Sequence, residues 1–238
     1  MNDPLTERLD RAPLDDEPLT AEDEDALAEA LVQKLRDFEV VIPWHDNGNP
    51  HRAAALEAVT IHLAELERRV RVSDPGEPWS AAKARNDGAR RVEAPVVVFN
   101  DADTLVPLAQ IREAAALAGQ ADGLVYAYDL YLRRDEQGGV ERELYNPVSV
   151  GCVAIGFEAF WRLNGFDERF RGAFYEDCEF AQRARERWPL RRVSGVAEHL
   201  WHGARRADDS ADDQDEHDVQ GNLILWRALS RQWVHHGG

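Results

Sequence analysis

Two carboxylates, Asp101 and Asp103, stand one residue apart directly after the apolar run 96–99. A run this short and this rich in Val and Phe predicts a buried strand of a parallel sheet. Open α/β sheets bind their ligands just beyond the carboxyl ends of their strands. Because Mg²⁺ and Mn²⁺ prefer carboxylate oxygens and accept substrate phosphates as further ligands, the pair predicts a nucleoside diphosphate held through a metal.

The same Asp-x-Asp pattern is also typical of a turn that caps a helix, here before Thr104 and Pro107. The pattern alone does not separate these two interpretations. The elements around the pair therefore decide what it does.

Charge is unevenly distributed along the 238 residues. The net charge is −17, of which residues 1–39 carry −9 and residues 207–218 carry −7. We expect an acidic N-terminal arm with a short helix over 1–37 and an acidic flexible loop over 204–218. The rest of the chain is nearly neutral, so its composition does not exclude a phosphorylated or nucleic-acid ligand.

The two cysteines, Cys152 and Cys178, make neither a disulfide framework nor a zinc-binding pattern. A reducing cytoplasm fits this usage best. No apolar run approaches the roughly 20 residues of a membrane span, and the acidic N-terminus is unlike a signal peptide. We therefore predict a cytoplasmic protein without a membrane span.

Hydrophobic periodicity predicts an α/β fold with one core over 38–203. Its first half reads as a β-α-β-α-β series, which calls for a mostly parallel sheet flanked by helices. The predicted elements are strands 38–43, 69–74, 95–99, 123–128 and 148–156, helices 53–69, 79–91, 107–118, 157–163 and 176–187, and a hairpin tip or loop over 133–143. A final helix, within 219–238, is expected to pack back on the core.

Further polar motifs follow the predicted strands in a fixed order. They are the end of the first strand at Pro43, the segment Arg85-Asn86-Asp87-Gly88, the segment 164–170 with Glu176-Asp177 after it, and Glu198-His199-Leu200-Trp201-His202. In this order and spacing, with the Asp-x-Asp (DXD) pair, the chain resembles nucleotide-sugar glycosyltransferases of the GT-A fold. The resemblance implies a Rossmann-like sheet and a single catalytic domain over about 38–203.

The two halves of the core resemble different members of that group. Residues 38–103 are similar to the nucleotide-sugar half of inverting bacterial and phage glycosyltransferases. Residues 104–203 are similar to the galactosyltransferase-type segment shared with polypeptide N-acetylgalactosaminyltransferases and chondroitin-type polymerases, which implies that this half receives the acceptor. Because that segment occurs in both mechanistic classes, inversion and retention both remain open.

The resemblance implies a metal site. Asp103, with Asp101 beside it, would bind Mn²⁺ or Mg²⁺ that bridges the donor's two phosphates and neutralises charge on the leaving group. His199 or His202 would complete the site, and the spacing favours His199. The alternative is two half-exposed histidines beside a buried Trp201.

The resemblance also implies a donor site. Pro43, Asp46 and Asp74, at the ends of the first two strands, would contact uracil and ribose. The usual consecutive acids are replaced here by Ser73-Asp74-Pro75, which leaves the base open.

The helix before the Asp-x-Asp strand would serve the donor as well. Arg85 would lie near the diphosphate, where its planar fork suits oxygen pairs; the alternative is a surface helix arginine. Asn86 joins the donor site, and Asn86 and Gly88 would let the helix approach the sheet.

Acceptor chemistry is assigned to the acid pair. Asp177 would act as the base that deprotonates the acceptor hydroxyl in an inverting reaction, with Glu176 orienting the acceptor. The alternative is that both are acids favoured at a helix N-terminus by the macrodipole.

The sequence thus predicts a metal-dependent glycosyltransferase, of hexosyl or N-acetylhexosaminyl type, that uses a UDP-sugar. A sugar-phosphate nucleotidyltransferase would carry a glycine-rich loop after the first strand, where this chain has Pro43-Trp44-His45-Asp46. A non-catalytic acidic binding module is the third alternative.

The acceptor stays open between a glycan, a protein and a modified nucleobase or other nucleic acid. The segment 162–206 holds 10 arginines against 7 acids. Such an excess suits an anionic acceptor, and it suits a solvated helix face equally well.

Overall fold

The structure is a computed structural model that describes residues 37–148, 151–203 and 213–234, with the side chains of 213–218 and 231–234 left out. The predicted N-terminal helix and most of the predicted arm lie outside these ranges, as does the predicted acidic loop up to residue 212. In the part of the chain that is described, no helix is long and apolar enough to cross a membrane.

The elements follow the predicted order in the first half of the core and add short strands in the second. The strands are β1 (Glu39–Pro43), β2 (Val70–Ser73), β3 (Val96–Asn100), β4 (Thr104–Leu105), β5 (Val125–Tyr126), β6 (Leu130–Arg134), β7 (Val140–Tyr145), β8 (Cys152–Gly156), β9 (Arg191–Arg192) and β10 (Val196–His199). The helices are α1 (Pro50–Ala64), α2 (Ala81–Ala89), α3 (Leu108–Gln120), α4 (Phe157–Arg162), α5 (Glu176–Arg187) and α6 (Asp213–Val234).

The larger sheet has the strand order β2-β1-β3-β8-β5-β9. β1 pairs in parallel with β2 and β3, and β5 pairs in parallel with β9. β8 runs antiparallel between β3 and β5. The predicted mostly parallel α/β sheet is confirmed, with this one reversed strand inside it.

The reversal of β8 matters for the site because it places the beginning of β8 beside the end of β3. Asn100 lies opposite Cys152 in this pairing. The residue after Asn100 and the residue before Cys152 therefore meet at the carboxyl edge of the parallel strands.

The smaller sheet has the order β4-β10-β6-β7. β6 and β7 form the hairpin expected around 133–143, with Asp135 accepting from the amides of Gln137 and Gly139 in its turn. β4, β9 and β10 were not predicted, because they are short and their residues, Thr-Leu, Arg-Arg and Val-Ala-Glu-His, form no apolar run like those at β2 and β5.

Close packing brings α2 onto the parallel strands. Every residue of β1 and β3 is buried. A Cβ on Gly88 would lie 2.3 Å from Val41 Cγ1, a distance that real Cβ atoms do not show. The prediction that Gly88 lets this helix approach the sheet is therefore confirmed.

Two helix ends are capped as their sequences indicate. Asn49 Oδ1 accepts from the amides of His51 and Arg52 at the beginning of α1, and Ser80 Oγ accepts from the Lys83 amide at the beginning of α2.

The last helix begins at Asp213, earlier than the predicted boundary at 219. Residues 213–218 are therefore helical and not part of a loop. Acidic composition predicts a solvated segment, but it does not separate a loop from a helix, because both can expose polar residues to water.

Candidate active site

Asp103 lies in the turn between β3 and β4, where two short strands bring the distant histidines to it. β4 and β10 pair antiparallel with His199 opposite Thr104. The Leu200 amide donates to the Asp103 carbonyl at 2.7 Å. The unpredicted strands are thus the elements that join the Asp-x-Asp edge to the histidine segment.

Asp103, His199 and His202 form a compact group. Asp103 Oδ2 lies 3.2 Å from His202 Nε2 and 3.6 Å from His199 Nε2. One ligand atom from each residue lies within 4.8 Å of the other two. The three side chains are 17–25% exposed. Within the described ranges this group has the composition and spacing to hold a metal ion.

The protonation states of this group suit a metal ligand set. Burial alone would raise the pKa of Asp103, but the hydrogen bond from His202 and the charge of His199 lower it to about 2. Burial lowers the pKa of His199 below its usual value. An ionised carboxylate beside a neutral imidazole is the state in which both groups bind metals.

The histidine segment is held by the beginning of α1. Asn49, the cap of that helix, donates from Nδ2 to the carbonyl of His202 at 3.2 Å. The rings of His51 and Trp201 meet edge to face at 4.7 Å. These contacts fix the loop that carries His202 against the same edge of the sheet.

Asp101 lies in a different environment although it is only two residues away. Arg85 donates from Nη2 to Asp101 Oδ1 and from Nη1 to Glu176 Oε1, both at 2.8 Å. The Gly151 amide donates to Asp101 Oδ2 at 3.1 Å. Both oxygens of Asp101 therefore already accept hydrogen bonds from the protein, and its predicted role as a metal ligand remains a prediction.

Two members of the Arg85–Asp101–Glu176 network are deeply buried, whereas the Asp101 side chain is 27% exposed. Arg85 is 4% and Glu176 is 3% exposed. Within the described chain, Arg85 Nε and Glu176 Oε2 have no hydrogen-bond partner. Arg85 also lies over the Phe166 ring at 5.1 Å, so it is a core residue rather than the surface helix arginine of the alternative interpretation.

Two carboxylates share this single guanidinium. Burial raises the pKa of Asp101 to about 6, against the attraction of Arg85. Burial and the neighbouring charge of Asp177 raise the pKa of Glu176 to about 7. The desolvation of Arg85 is outweighed by its two acidic partners, which raise its pKa. The network thus holds two carboxylates for one guanidinium, so its stability depends on whether the carboxylates are protonated.

Asn86, the next residue of α2, bonds the segment that precedes α5 and not the Arg85 network. Its Nδ2 donates to the Phe166 carbonyl and to Glu168 Oε1, and its Oδ1 accepts from the Phe166 amide. A Cβ on Gly165 would lie 2.6 Å from that oxygen. All three of these hydrogen bonds go to Phe166 and Glu168, which are the contacts of a packing residue, and the donor-binding role predicted for Asn86 remains a prediction.

Glu176 and Asp177 begin α5. Asp177 is half-buried, and its Oδ1 accepts from the Cys178 amide at 2.7 Å. The two residues before them, Phe174 and Tyr175, have φ of 82° and 71°. Left-handed backbone costs a non-glycine residue roughly 1–2 kcal/mol, so the approach to the acid pair is strained.

The carboxyl ends of β1 and β2 carry the predicted nucleoside contacts. Pro43 is buried at the end of β1, whereas Asp46 and Asp74 are exposed in turns, where they accept from the amides of Gly48 and Gly76. The structure does not bring these three to Asp103 through any direct contact that it describes.

His45 and Trp79 at this end were not singled out from the sequence. The His45 ring stacks on Trp79 at 5.7 Å and lies between Asp74 and Glu77. Trp79 Nε1 donates to the Trp44 carbonyl at 2.9 Å. For His45 the available signal was the aromatic pair Trp44-His45 directly after the first predicted strand, whereas Trp79, five residues after the second, had no such signal.

No protein family and no curated protein matches the sequence. Solved structures do match. They include S. aureus TarS (fragment 1-349; 14% identity, TM-score 0.51, covering 69% of this chain and 60% of that one). A Drosophila β1,4-galactosyltransferase 7 mutant in complex with manganese, UDP-Gal and xylobiose matches at 14% identity and TM-score 0.48, covering 76% and 79%. GalNAc-T7 with UDP, GalNAc and Mn²⁺ matches at 13% identity and TM-score 0.48, covering 80% and 57%.

The TarS likeness shows a common fold and, at this identity, nothing more. The chain spans 60% of the TarS fragment. The expected GT-A type of α/β fold is confirmed.

Proposed function

We propose that the protein is a metal-dependent glycosyltransferase that moves a sugar from a UDP-sugar to an acceptor hydroxyl. The observation that carries the proposal is the Asp103–His199–His202 group at the carboxyl edge of β3, where a GT-A sheet has its ligand site. Glu176, the first residue of the acid pair, is joined to the same edge by Arg85, which bonds both Asp101 and Glu176, and Asp177 follows it in the chain.

The donor set fits a divalent metal. One carboxylate and two imidazoles are a mixed oxygen and nitrogen set, and three protein ligands leave positions for phosphate oxygens. Mg²⁺ is a hard cation that prefers an all-oxygen shell, so we propose Mn²⁺ as the better of the two expected metals. A metal held there by Asp103, His199 and His202 would neutralise charge on the departing diphosphate.

The two acids at the beginning of α5 differ in exposure, and we assign them different roles on that basis. Glu176 is 3% exposed and bound to Arg85, so an incoming hydroxyl has little access to its carboxylate. Asp177 is half-buried and is the more accessible of the two. We therefore assign the base of an inverting reaction to Asp177, with Glu176 orienting the acceptor side.

Arg85 has a different part from the one expected. Both of its terminal nitrogens bond carboxylates, at 2.8 Å each. This supports a role in holding Asp101 and Glu176 in place, whereas the sequence predicted a direct grip on the diphosphate.

The nucleoside would lie at the ends of β1 and β2. Asp46 and Asp74 are exposed there, and the stacked pair His45–Trp79 offers a flat aromatic surface beside them. This supports a planar base as the ligand and the contacts expected of Pro43, Asp46 and Asp74 with uracil and ribose.

For the acceptor we favour a glycan hydroxyl over a nucleic acid. Arg183 is tied to Glu179 and to the carbonyls of Leu163 and Gly165. Arg192 donates to the carbonyls of Asn146 and Pro147. Arginines engaged in this way contribute less to an anionic docking surface than their number in the sequence implies. The transferred sugar would be a hexose or an N-acetylhexosamine.

A calorimetric screen tests the proposal. UDP, GDP and ADP are titrated into the protein with Mn²⁺, with Mg²⁺ and with EDTA, and UDP release is then measured from UDP-hexoses and UDP-N-acetylhexosamines. We expect UDP to bind with Mn²⁺ and not with EDTA, and at least one donor to release UDP. Absence of metal-dependent binding for every diphosphate would contradict the proposal. Release of pyrophosphate from a nucleoside triphosphate and a sugar phosphate would identify a nucleotidyltransferase instead.

A further inference from the structure

The segment 171–175, which leads into the acid pair, is held in an unfavourable backbone conformation. Gly172, Phe174 and Tyr175 have φ of 58°, 82° and 71°. Left-handed backbone persists at non-glycine residues only where the surroundings enforce it. Some contact must therefore hold this segment, and with it the position of Glu176 and Asp177.

One side of the segment is held by the beginning of α2. The Ala81 amide donates to the Gly172 carbonyl at 2.7 Å, and the Gly172 amide donates to the Trp79 carbonyl at 3.2 Å. Since α2 also carries Arg85, the segment and the buried network share one support.

The other side is held by a single side chain of α6. Asn222 is 3% exposed. Its Oδ1 accepts from the Arg171 amide at 2.9 Å, and its Nδ2 lies within hydrogen-bond distance of the carbonyls of Arg171, Ala173 and Phe174, at 2.6, 3.1 and 3.2 Å. One amide thus bonds several backbone groups of this irregular segment.

A second residue on the same face of α6 extends the contact. Trp226 lies one helical turn after Asn222, and its ring stacks on Tyr175 at 5.7 Å with 25° between the planes. Tyr175 directly precedes Glu176. The hydrogen bonds of Asn222 and this stacking contact together cover the segment up to the first residue of α5.

We propose that Asn222 is a positioning residue for the acid pair, and that α6 is a working part of the active site through Asn222 and Trp226. Neither residue belongs to the metal group or to the proposed nucleoside edge. Their effect is exerted through the backbone of 171–175, which sets where the carboxylate of Asp177 stands. The kinetic part of this proposal rests on the proposed function.

The test compares Asn222→Ala, Trp226→Ala and Trp226→Phe with Ile224→Ala, a control on an exposed position of the same helix. UDP release from the best donor gives kcat and KM, calorimetry gives the affinity for Mn²⁺ with UDP, and hydrogen exchange followed by mass spectrometry reports the amides of 171–178.

We expect Asn222→Ala to lower kcat about a hundredfold, the usual result of a misplaced catalytic group, with KM and metal affinity within about twofold of wild type. Exchange over 171–178 should become at least about tenfold faster. Trp226→Ala should act in the same direction, whereas Trp226→Phe, which keeps a stacking ring, and Ile224→Ala should match wild type.

An unchanged kcat in Asn222→Ala would overturn the proposal. So would a parallel loss of kcat, donor binding and thermal stability, because that is the signature of general unfolding. If the wild-type protein releases no UDP from any donor, the proposed function fails and exchange alone decides: faster exchange limited to 171–178 supports the positioning role, and unchanged exchange overturns it.

Discussion

Asp101 and Asp103 belong to one short motif and end the same strand, yet the fold gives them opposite surroundings. Asp103 is 25% exposed and faces two imidazoles. Asp101 is no less exposed, at 27%, but its carboxylate already accepts from Arg85 and from the Gly151 amide. The first position is open to an incoming cation, and the second is closed by an ion pair. Following a strand places both carboxylates at the edge of the sheet. The residues that contact each one decide which of them can bind a cation.

The largest expected difference between the two regions is in catalysis. Asp103→Asn should lower metal-dependent UDP release about a thousandfold, because it removes a charged ligand and the electrostatic stabilisation that a bound metal supplies. Its free energy of unfolding at neutral pH should fall by about 2 kcal/mol, because the lowered pKa of Asp103 is linked to stability of that order. Donor turnover and urea unfolding measure the two effects, and activity close to wild type would contradict the metal assignment.

Substitution in the Arg85 network should affect the stability of the protein more than substitution of Asp103 does. Arg85→Ala leaves Asp101 and Glu176 without their counter-charge and should lower the free energy of unfolding by about 3–5 kcal/mol. Arg90→Ala is the matched control, since Arg90 lies at the end of the same helix, is exposed and pairs with Asp87 and Glu168; it should cost about 1 kcal/mol or less. Equal losses of unfolding free energy in the two variants would show that the buried network stabilises the protein no more than an exposed ion pair does.

The pH dependence of stability should separate the regions as well. Burial raises the pKa of Glu176 from 4.5 to about 7. Between these pH values the unfolded chain has lost a proton that the folded protein keeps, so this contribution to stability falls as pH rises from about 4.5 to 7, by about 1–3 kcal/mol. Glu176→Gln should flatten the decline in urea unfolding measured across this range.

Asp103 should act at lower pH and with the opposite sign. Its pKa is lowered from 3.8 to about 2. Its contribution is present above pH 3.8 and is lost as pH falls towards 2. Asp103→Asn should reduce acid sensitivity only in that range, and a Glu176→Gln variant with the wild-type profile at pH 4.5–7 would contradict the distinction.

The smallest expected effect concerns metal choice. His199→Ala and His202→Ala should each weaken Mn²⁺ binding at least about tenfold and reduce its advantage over Mg²⁺, because nitrogen ligands are what favours Mn²⁺ here. Calorimetry with both metals measures this, and His62→Ala, which alters a histidine that bonds the Val106 carbonyl and lies outside the metal group, is the control. Unchanged Mn²⁺ affinity in both histidine variants would limit the site to Asp103.

Much of the fold was accessible from the sequence because its signals are local. The β-α-β-α-β series followed from apolar runs and helical spacing, whereas the role of Gly88 was implied by the family resemblance. The grouping of Asp103 with His199 and His202 was expected only through the resemblance in motif order.

The remainder depends on contacts between distant parts of the chain. The reversal of β8 places Gly151 against Asp101, and no residue of that strand signals its direction. Arg85 reaches Glu176 across 91 positions, so neither sequence neighbourhood reveals the ion pair. Asn222 was hidden for the same reason, since a polar residue in an amphipathic helix usually marks its solvated face.

The most direct test of the open and closed carboxylates is anomalous scattering from a crystal of the protein with Mn²⁺ and UDP. We predict a manganese peak bonded to Asp103 and to at least one of His199 and His202, with the Arg85–Asp101 ion pair intact. A peak bonded to Asp101, with Arg85 displaced from it, or a manganese ion bound away from Asp103, would contradict the account.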